Sequence, residues 1–156
     1  MSFIAAAIIL LVWAAFRVRI VPASTIRVID GDSLMIAGVN CRLRGIDAPE
    51  WSQPKGPAAT ATMRRLIASD RKFIIVSHGR DVYRRHLITI CRLAGLQSVN
   101  ASMVRQGHAF ATRPGVLWSA YGSMMIARLA RRGMWDTAGL ELPWNWRQSH
   151  PRKKAA

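Results

Sequence analysis

Half of the acidic side chains of this 156-residue chain lie between positions 30 and 50, although the chain carries 23 lysines and arginines against 8 aspartates and glutamates. They are Asp30, Asp32, Asp47 and Glu50. Like charges held close together raise one another's pKa, so a cation usually stabilises such a cluster, and carboxylate oxygens suit Ca²⁺ or Mg²⁺. Arg42 and Arg44 lie between the two acidic pairs. Carboxylates for a hard cation beside guanidinium groups for an oxyanion indicate chemistry on phosphate.

Each acidic pair also has an ordinary structural explanation. The sequence Asp-Gly-Asp between apolar runs is a common turn pattern, in which Gly31 would supply a positive φ. Residues 47–50 would likewise form a loop that leads into a helix. Either motif alone is weak evidence, but the two together in so basic a chain favour a functional site.

The charge of the whole chain indicates a polyanionic partner. The net charge is +15 and the pI is near 11.7, which suits nucleic acid or an anionic membrane surface. Arginine outnumbers lysine, and this favours bidentate contacts with phosphate. Because the excess is spread along the chain rather than confined to a tail, we favour nucleic acid.

Cysteine usage argues against a zinc site. Cys41 and Cys91 belong to no C-x-x-C pair, and the histidines show no metal-ligand spacing. Each cysteine lies in an apolar, strand-like run. Two free thiols are the simplest interpretation, and a single disulfide stays open.

The N-terminus carries an uninterrupted apolar run at residues 3–16, FIAAAIILLVWAAF, followed by Arg17 and Arg19. Its length falls between a signal-peptide core and a short membrane span. We assign residues 1–20 to a membrane anchor or signal segment, favour an uncleaved anchor, and keep a buried helix as a third alternative. We expect the protein to be membrane-anchored or exported to the periplasm or outside the cell, and the sequence leaves the side of the membrane open.

From position 25 onward, one alternating segment and several short apolar runs, separated by turns, predict five short strands. They are TIRVID, SLMIA, NCRLRGI, KFIIVS and RHLITICRL. Five strands with glycine-rich turns and interspersed helices predict an α+β domain at residues 24–136, mainly a closed β-barrel of the OB type. The N-terminal hydrophobic helix would precede it.

Three helices are predicted, at residues 57–68, at ASMVRQ with Asn100 as its cap, and at residues 118–132. The remaining residues, 137–156, form a basic tail that contains prolines and tryptophans. Trp144 and Trp146 would either pin this tail to the domain or stack on bases, and we favour the first role because tryptophans bury well.

Five motifs in order carry a family resemblance: IDGDSL, CRLRGIDAPE, DVYRRHL, VNASMVRQGHA and ARLARRGMW. With this spacing the chain resembles the staphylococcal-nuclease-like (thermonuclease) family over roughly Thr25 to Trp135. The resemblance implies a five-stranded OB-type barrel with three helices. It also implies Ca²⁺-dependent cleavage of phosphodiester bonds in DNA and RNA.

The resemblance assigns metal-binding roles to residues of the first two motifs. Asp32 and Asp47 match the carboxylate ligands of Ca²⁺, and the backbone carbonyl of Ala48 matches the next ligand. Asp30 matches a further acid near the metal, without direct coordination.

The resemblance also assigns catalytic roles. Glu50 matches the general base, and Arg42 and Arg85 match the two arginines that hold the scissile phosphate. The chain departs from the family at Arg84, where relatives usually have glycine. If that position needs a positive φ, Arg84 costs about 1 kcal/mol, and either Arg84 or Arg85 could be the arginine that reaches the phosphate.

We therefore predict a monomeric, Ca²⁺-dependent endonuclease that acts on DNA and RNA with little sequence preference and is tethered to a membrane or exported through its N-terminus. One alternative is a catalytically inactive OB-fold module that binds nucleic acid. Another is a basic protein that binds membrane surfaces. The acids favour the enzyme, because a pure binder gains nothing from carboxylates that face a polyanion.

Overall fold

The structure is a computed structural model that describes residues 18–112, 118–136 and 140–151, so the apolar run at residues 3–16 lies outside the described residues. The strands are β1 (Val18–Pro22), β2 (Ile26–Val28), β3 (Ser33–Ile36), β4 (Val39–Leu43), β5 (Ile46–Asp47), β6 (Lys72–Arg80), β7 (His86–Arg92) and β8 (Phe110–Ala111). The α-helices are α1 (Gly56–Ala68), α2 (Val99–Arg105), α3 (Trp118–Leu129) and α4 (Pro143–Ser149). Short 3₁₀ helices lie at Ala23–Thr25, Ala94–Leu96 and Gly133–Asp136.

The strands form a mixed sheet that does not close. Its order is β1-β6-β7-β4-β3-β2, and β5 pairs with β8 outside it. β4 and β7 run parallel, whereas the other neighbours are antiparallel. In the described part of the chain β1 and β2 are the two ends of this sheet. The α+β class is confirmed, and the closed barrel of five strands is wrong in closure and in strand number.

Local geometry explains the extra strands. The predicted strand NCRLRGI is divided into β4 and β5 by a turn at Gly45, whose φ of 77° ends the first ladder. β8 has only two residues and pairs with β5, so no alternation could reveal it. β1 begins at Val18, close behind the apolar run that was predicted to be a membrane anchor or signal segment, and it pairs with β6.

The core lies between the sheet and helices α1 and α2. Its fully buried members include Leu34, Leu43, Met63, Phe73, Ile88, Ile90 and Met103. Asn100 was predicted to cap α2, and this is wrong: the cap is Ser98, whose Oγ accepts from the N–H of Ala101 at 3.2 Å. Asn100 is instead buried, and its Oδ1 accepts from the N–H of Ile90 at 3.1 Å.

The tail contributes a fourth helix to the described residues. The predicted helix at residues 57–68 is confirmed as α1, and α3 ends at Leu129 rather than at position 132. Trp144 on α4 packs edge-on against Phe110, with ring centres 5.7 Å apart, as the pinning role predicts. Trp146 stacks on His150 at 3.7 Å.

Gly31 is required by close packing and not by a positive φ, so the turn explanation for this residue is wrong. It is absent from the described residues with positive φ. A Cβ at this position would lie 2.7 Å from Cβ of Ala48 and 2.9 Å from Cβ of Ala59. The Asp-Gly-Asp turn therefore sits directly against the segment after β5 and against α1.

Gly31→Ala should lower the free energy of unfolding by about 1–3 kcal/mol, because the new methyl group overpacks this contact. Denaturant titration measures the loss. Gly122→Ala on α3 is the matched control, since no atom lies within 4 Å of its added Cβ, and it should be neutral or stabilising. Equal stability of the two variants would contradict the close approach.

None of the helices in the described ranges is both long and apolar enough to cross a membrane. Membrane attachment depends on the run at residues 3–16 and stays a prediction.

Candidate active site

Two turns place the predicted metal-binding carboxylates side by side. Asp32 lies in the turn between β2 and β3, Asp47 is the last residue of β5, and both are buried. The N–H of Ala48 donates to Oδ2 of Asp32 at 3.0 Å, and the N–H of Leu43 donates to the carbonyl of Asp32 at 2.8 Å. These hydrogen bonds join the first turn to the end of β4 and to the segment that directly follows Asp47.

Asp30 shapes the turn that presents Asp32. Its Oδ1 accepts from the N–H of Asp32 at 3.0 Å and from the N–H of Ser33 at 2.8 Å. The hydroxyl of Ser33 in turn donates to Oδ1 of Asp32 at 2.9 Å. Asp30 therefore lies next to Asp32, and its carboxylate accepts hydrogen bonds from the backbone of the turn.

One guanidinium nitrogen joins the two buried carboxylates. Nη2 of Arg42, on β4, lies 2.9 Å from Oδ2 of Asp32 and 2.6 Å from Oδ1 of Asp47. Because both oxygens contact the same nitrogen, the two acids converge on one point. Asp32 and Asp47 were predicted to share a cation, and the structure brings them together.

The environment of Asp32 disfavours its ionised form. Burial raises its pKa to about 7, against the opposing effect of Arg42 and with a further increase from the charge of Asp30. The N–H of Ala48 favours the carboxylate but does not offset the burial. A positive charge close to Asp32 would therefore favour the ionised form of this side chain.

Glu50 begins the loop that leads from β5 to α1. Its N–H donates to Oε1 of Gln53 at 3.2 Å, and its carbonyl accepts from the N–H of Gln53 at 2.9 Å. The N–H of Gly56 donates to the carbonyl of Gln53 at 2.9 Å. A Cβ on Gly56 would lie 1.9 Å from the carbonyl oxygen of Glu50, so only glycine allows this loop to close.

A second guanidinium reaches the same acids from the C-terminal helix. Nη2 of Arg147 lies 2.7 Å from Oδ2 of Asp47, and Nη1 lies 3.1 Å from its Oδ1. Nη1 also lies 3.1 Å from Oε1 of Glu50. Hydrogen bonds to Asp47 raise the pKa of Arg147, and the neighbouring Glu50 adds to the effect. Asp32, Asp47 and Glu50 thus surround two arginines.

Arg85 reaches the site from the loop between β6 and β7. A cavity of about 300 Å³ is lined by Arg42, Asp47, Asp81 and Arg85, among other residues. Oδ2 of Asp81 lies 2.8 Å from Nε and 2.8 Å from Nη2 of Arg85, and Oδ1 accepts from the N–H of Arg85 at 2.9 Å. The ring of Tyr83 lies beneath the guanidinium at 5.4 Å. Asp81 therefore fixes the direction of Arg85.

The backbone of Arg84 adopts the left-handed conformation, so this position does need a positive φ. Its φ is 62°, its side chain is exposed, and it does not line the cavity. Arg85 is therefore the arginine that faces Arg42 and Asp47.

Arg84→Gly should raise the free energy of unfolding by about 0.5–1 kcal/mol, because glycine adopts a positive φ without strain. Arg80→Gly provides the control, since Arg80 is also exposed but lies in β6. Glycine there should lower stability. An Arg84→Gly variant as unstable as Arg80→Gly would contradict the strain at Arg84.

The donors at this site are oxygens. No group of three or more acidic, histidine or cysteine side chains within the described ranges is arranged to hold a metal ion. Asp32 and Asp47 nevertheless converge, and Ala48 follows with its backbone carbonyl, whose ligand role stays a prediction. Two carboxylates and a carbonyl are the ligands that Ca²⁺ prefers, so the donor chemistry fits a hard divalent cation. The same carboxylates also accept from Arg42 and Arg147.

Arg44 lines the same cavity, and its Nη1 lies 2.7 Å from Nδ1 of His78. Cys41 and Cys91 are both free, and burial raises the pKa of each thiol.

Sequence reasoning missed three residues that organise the site. Asp81 could have been found from the sequence, because it lies four positions before Arg85 within the motif DVYRRHL. Gln53 is buried and accepts from the N–H of Glu50, but it lies in a loop where no sequence pattern indicates this role. Arg147 lies 100 positions from Asp47, so no local pattern could connect them.

Comparisons with known proteins identify the family. The family model described as staphylococcal nuclease homologue matches residues 40–137. An uncharacterized endonuclease of Escherichia coli O157:H7 is 34% identical over 134 residues, which cover 78% of this chain and 82% of that protein. Protein ParB of Escherichia coli is 30% identical over 158 residues, covering 91% and 85% of the two chains. A probable staphylococcal-like nuclease of Oryza sativa subsp. japonica is 32% identical over 133 residues, covering 81% of this chain and 25% of that protein. The chain belongs to the staphylococcal nuclease family.

Proposed function

We propose that this protein is a Ca²⁺-dependent nuclease that hydrolyses phosphodiester bonds of DNA and RNA with little sequence preference. One observation carries the proposal: Arg42 joins Asp32 to Asp47 at the edge of a cavity that Arg85 also lines. A site of this kind offers carboxylates to a cation and guanidinium groups to a phosphate. The nuclease relatives and the net charge of +15 support a nucleic acid substrate.

Asp32, Asp47 and the carbonyl of Ala48 are the residues that would hold Ca²⁺. A bound Ca²⁺ supplies a Lewis acid that offsets negative charge on the phosphate. The two buried carboxylates provide its charge balance. Asp30 keeps Asp32 in position through the turn hydrogen bonds.

Arg42 and Arg85 would bind the non-bridging oxygens of the scissile phosphate. In the described structure Arg42 uses Nη2 for its acidic partners, and Arg85 uses Nε and Nη2 for Asp81. Both side chains line the same cavity, so Nη1 of each is the nitrogen that we propose donates to an anion there. Charge-assisted hydrogen bonds of this kind strengthen as charge builds on the pentacoordinate phosphorus.

Glu50 would accept a proton from the attacking water. It is close enough to Asp47 that Arg147 bridges the two side chains. A carboxylate beside the phosphate site can orient water for in-line attack and act as a general base.

The test is digestion of plasmid and single-stranded substrates with Ca²⁺ and with EGTA. We expect cleavage of both substrates that needs Ca²⁺ and stops with chelator. Salt-sensitive binding without cleavage would instead identify the inactive binding module. Chelator-resistant cleavage would contradict the cation requirement.

Asp32 should make the stability of the calcium-free protein depend on pH. Its folded pKa of about 7 lies above its ordinary value of 3.8, so the folded state binds the proton more tightly. The cost of ionising Asp32 is therefore absent near pH 4 and fully present above pH 7, with a slope of at most about 1.4 kcal/mol per pH unit.

Asp32→Asn removes this cost. In EGTA, the stability of Asp32→Asn relative to the wild type should rise between pH 5 and pH 8, as measured by denaturant titration. A constant difference across this range would contradict the raised pKa.

We also propose that the apolar run at residues 3–16 attaches the enzyme to a membrane or exports it, and that the enzyme acts as a monomer. The segment predicted at residues 1–20 overlaps β1, which begins at Val18. Membrane fractionation of the full chain and of a chain that begins at Val18 tests the attachment. Recovery of both forms in the soluble fraction would contradict it.

A further inference from the structure

The C-terminal helix places a positive group on the acids that are proposed to hold the cation. Arg147 contacts both carboxylate oxygens of Asp47 and one oxygen of Glu50. Oδ1 of Asp47 also accepts from Arg42 at 2.6 Å, so this oxygen already has two donors. A carboxylate oxygen offers about two lone-pair positions. A cation that binds Asp47 must therefore share the remaining capacity of this side chain with Arg147.

Repulsion between like charges makes this sharing unfavourable. A divalent cation on Asp47 would lie at short range from the guanidinium of Arg147, which contacts the same carboxylate. The side chain of Arg147 is 36% exposed, whereas that of Arg42 is 20% exposed. Arg147 is therefore the more exposed of the two guanidinium groups at these acids.

Few contacts besides Arg147 hold the C-terminal helix in the described structure. Nε2 of Gln53 donates to the carbonyl of Glu141 at 2.7 Å, and the ring of Trp144 packs against Phe110. Gln53 also holds the N–H of Glu50, so the loop with the proposed base and the C-terminal helix share one buried side chain. Displacement of Arg147 would therefore affect both the loop that carries Glu50 and the C-terminal helix.

We propose that α4 is an autoinhibitory element, in which Arg147 competes with the divalent cation for Asp47 and restrains Glu50 until the cation displaces it. This inference rests on the proposed nuclease function, and it concerns regulation of the same site. The helix leaves the acids when Ca²⁺ binds, and the polyanionic substrate gives the released basic segment a partner.

The first test is calorimetric titration of the full chain with CaCl₂ in the absence of substrate. Arg147→Ala should bind Ca²⁺ about tenfold more tightly than the wild type, because removal of a partly exposed charge-assisted pair frees Asp47. Arg147→Lys keeps the charge but loses the fork and should lie between them. Arg105→Ala removes an exposed arginine at the end of α2 and should leave the affinity unchanged.

The second test is amide hydrogen exchange of Pro143–Ser149. Ca²⁺ should increase exchange in this helix of the wild type, and Arg147→Ala should show increased exchange before Ca²⁺ is added. This readout does not depend on turnover.

The outcomes separate the inference from the nuclease function. Equal Ca²⁺ affinities of the wild type and Arg147→Ala would overturn the inference, while plasmid cleavage in Ca²⁺ would leave the nuclease in place. Weaker binding by Arg147→Ala would also overturn it and would make Arg147 a residue that positions the ligands. Failure of every chain to bind Ca²⁺ would overturn it as well, and the digestion assay would decide the nuclease separately.

Discussion

Glu50→Gln should lower kcat for cleavage of plasmid DNA by about 10²–10⁴-fold while Ca²⁺ binding persists. The amide keeps the size of the side chain but cannot accept the proton of the attacking water. Asp32 and Asp47 are untouched, so the proposed ligands of the cation remain. Single-turnover digestion at saturating Ca²⁺ measures the change.

Glu141→Gln is the matched control for Glu50→Gln. Its carboxylate is exposed and accepts from Ser149 at 3.3 Å, away from the two buried acids. This variant should cleave DNA at the rate of the wild type. A Glu50→Gln enzyme with full activity would show that another group takes the proton.

Arg85→Ala should lower kcat by about 10²–10³-fold, because it removes a donor aimed at charge that grows in the transition state. The fold should lose little, since the ion pair with Asp81 is solvent-exposed enough to contribute about 1 kcal/mol or less. Arg85→Lys should recover only part of the activity, because lysine keeps the charge and loses the planar fork.

Arg84→Ala separates the two neighbouring arginines. Arg84 is exposed and its side chain lies outside the cavity, so its replacement should leave kcat within a fewfold of the wild type. A loss in Arg84→Ala equal to that in Arg85→Ala would mean that the phosphate is held by Arg84.

The elements that the sequence revealed are those with local signals. The apolar runs SLMIA and KFIIVS predicted β3 and β6, and Pro57 marked the start of α1. The convergence of Asp32 and Asp47 was predicted from two acidic turns in a basic chain. Their shared partner, Arg42, lay between them in sequence.

The parts that the sequence concealed depend on distant contacts. Sheet closure is decided by which edges meet, and no local pattern specifies that β1 and β2 are the ends of the described sheet. Gly31 looked like a turn residue, whereas its reason is the approach of Ala48 and Ala59. Arg147 looked like one more arginine in a basic tail, and only the folded chain brings it to Asp47.

A shared cation site at Asp32 and Asp47 is tested most directly by counting bound Ca²⁺ by calorimetry in the wild type, in Asp47→Asn and in Asp81→Asn. Asp81 is the control because it binds Arg85 in the same cavity but is not a proposed ligand. We predict one ion per chain in the wild type and in Asp81→Asn, and a loss of binding in Asp47→Asn. Unchanged binding in Asp47→Asn would place the ion elsewhere and show that the two buried acids do not hold it.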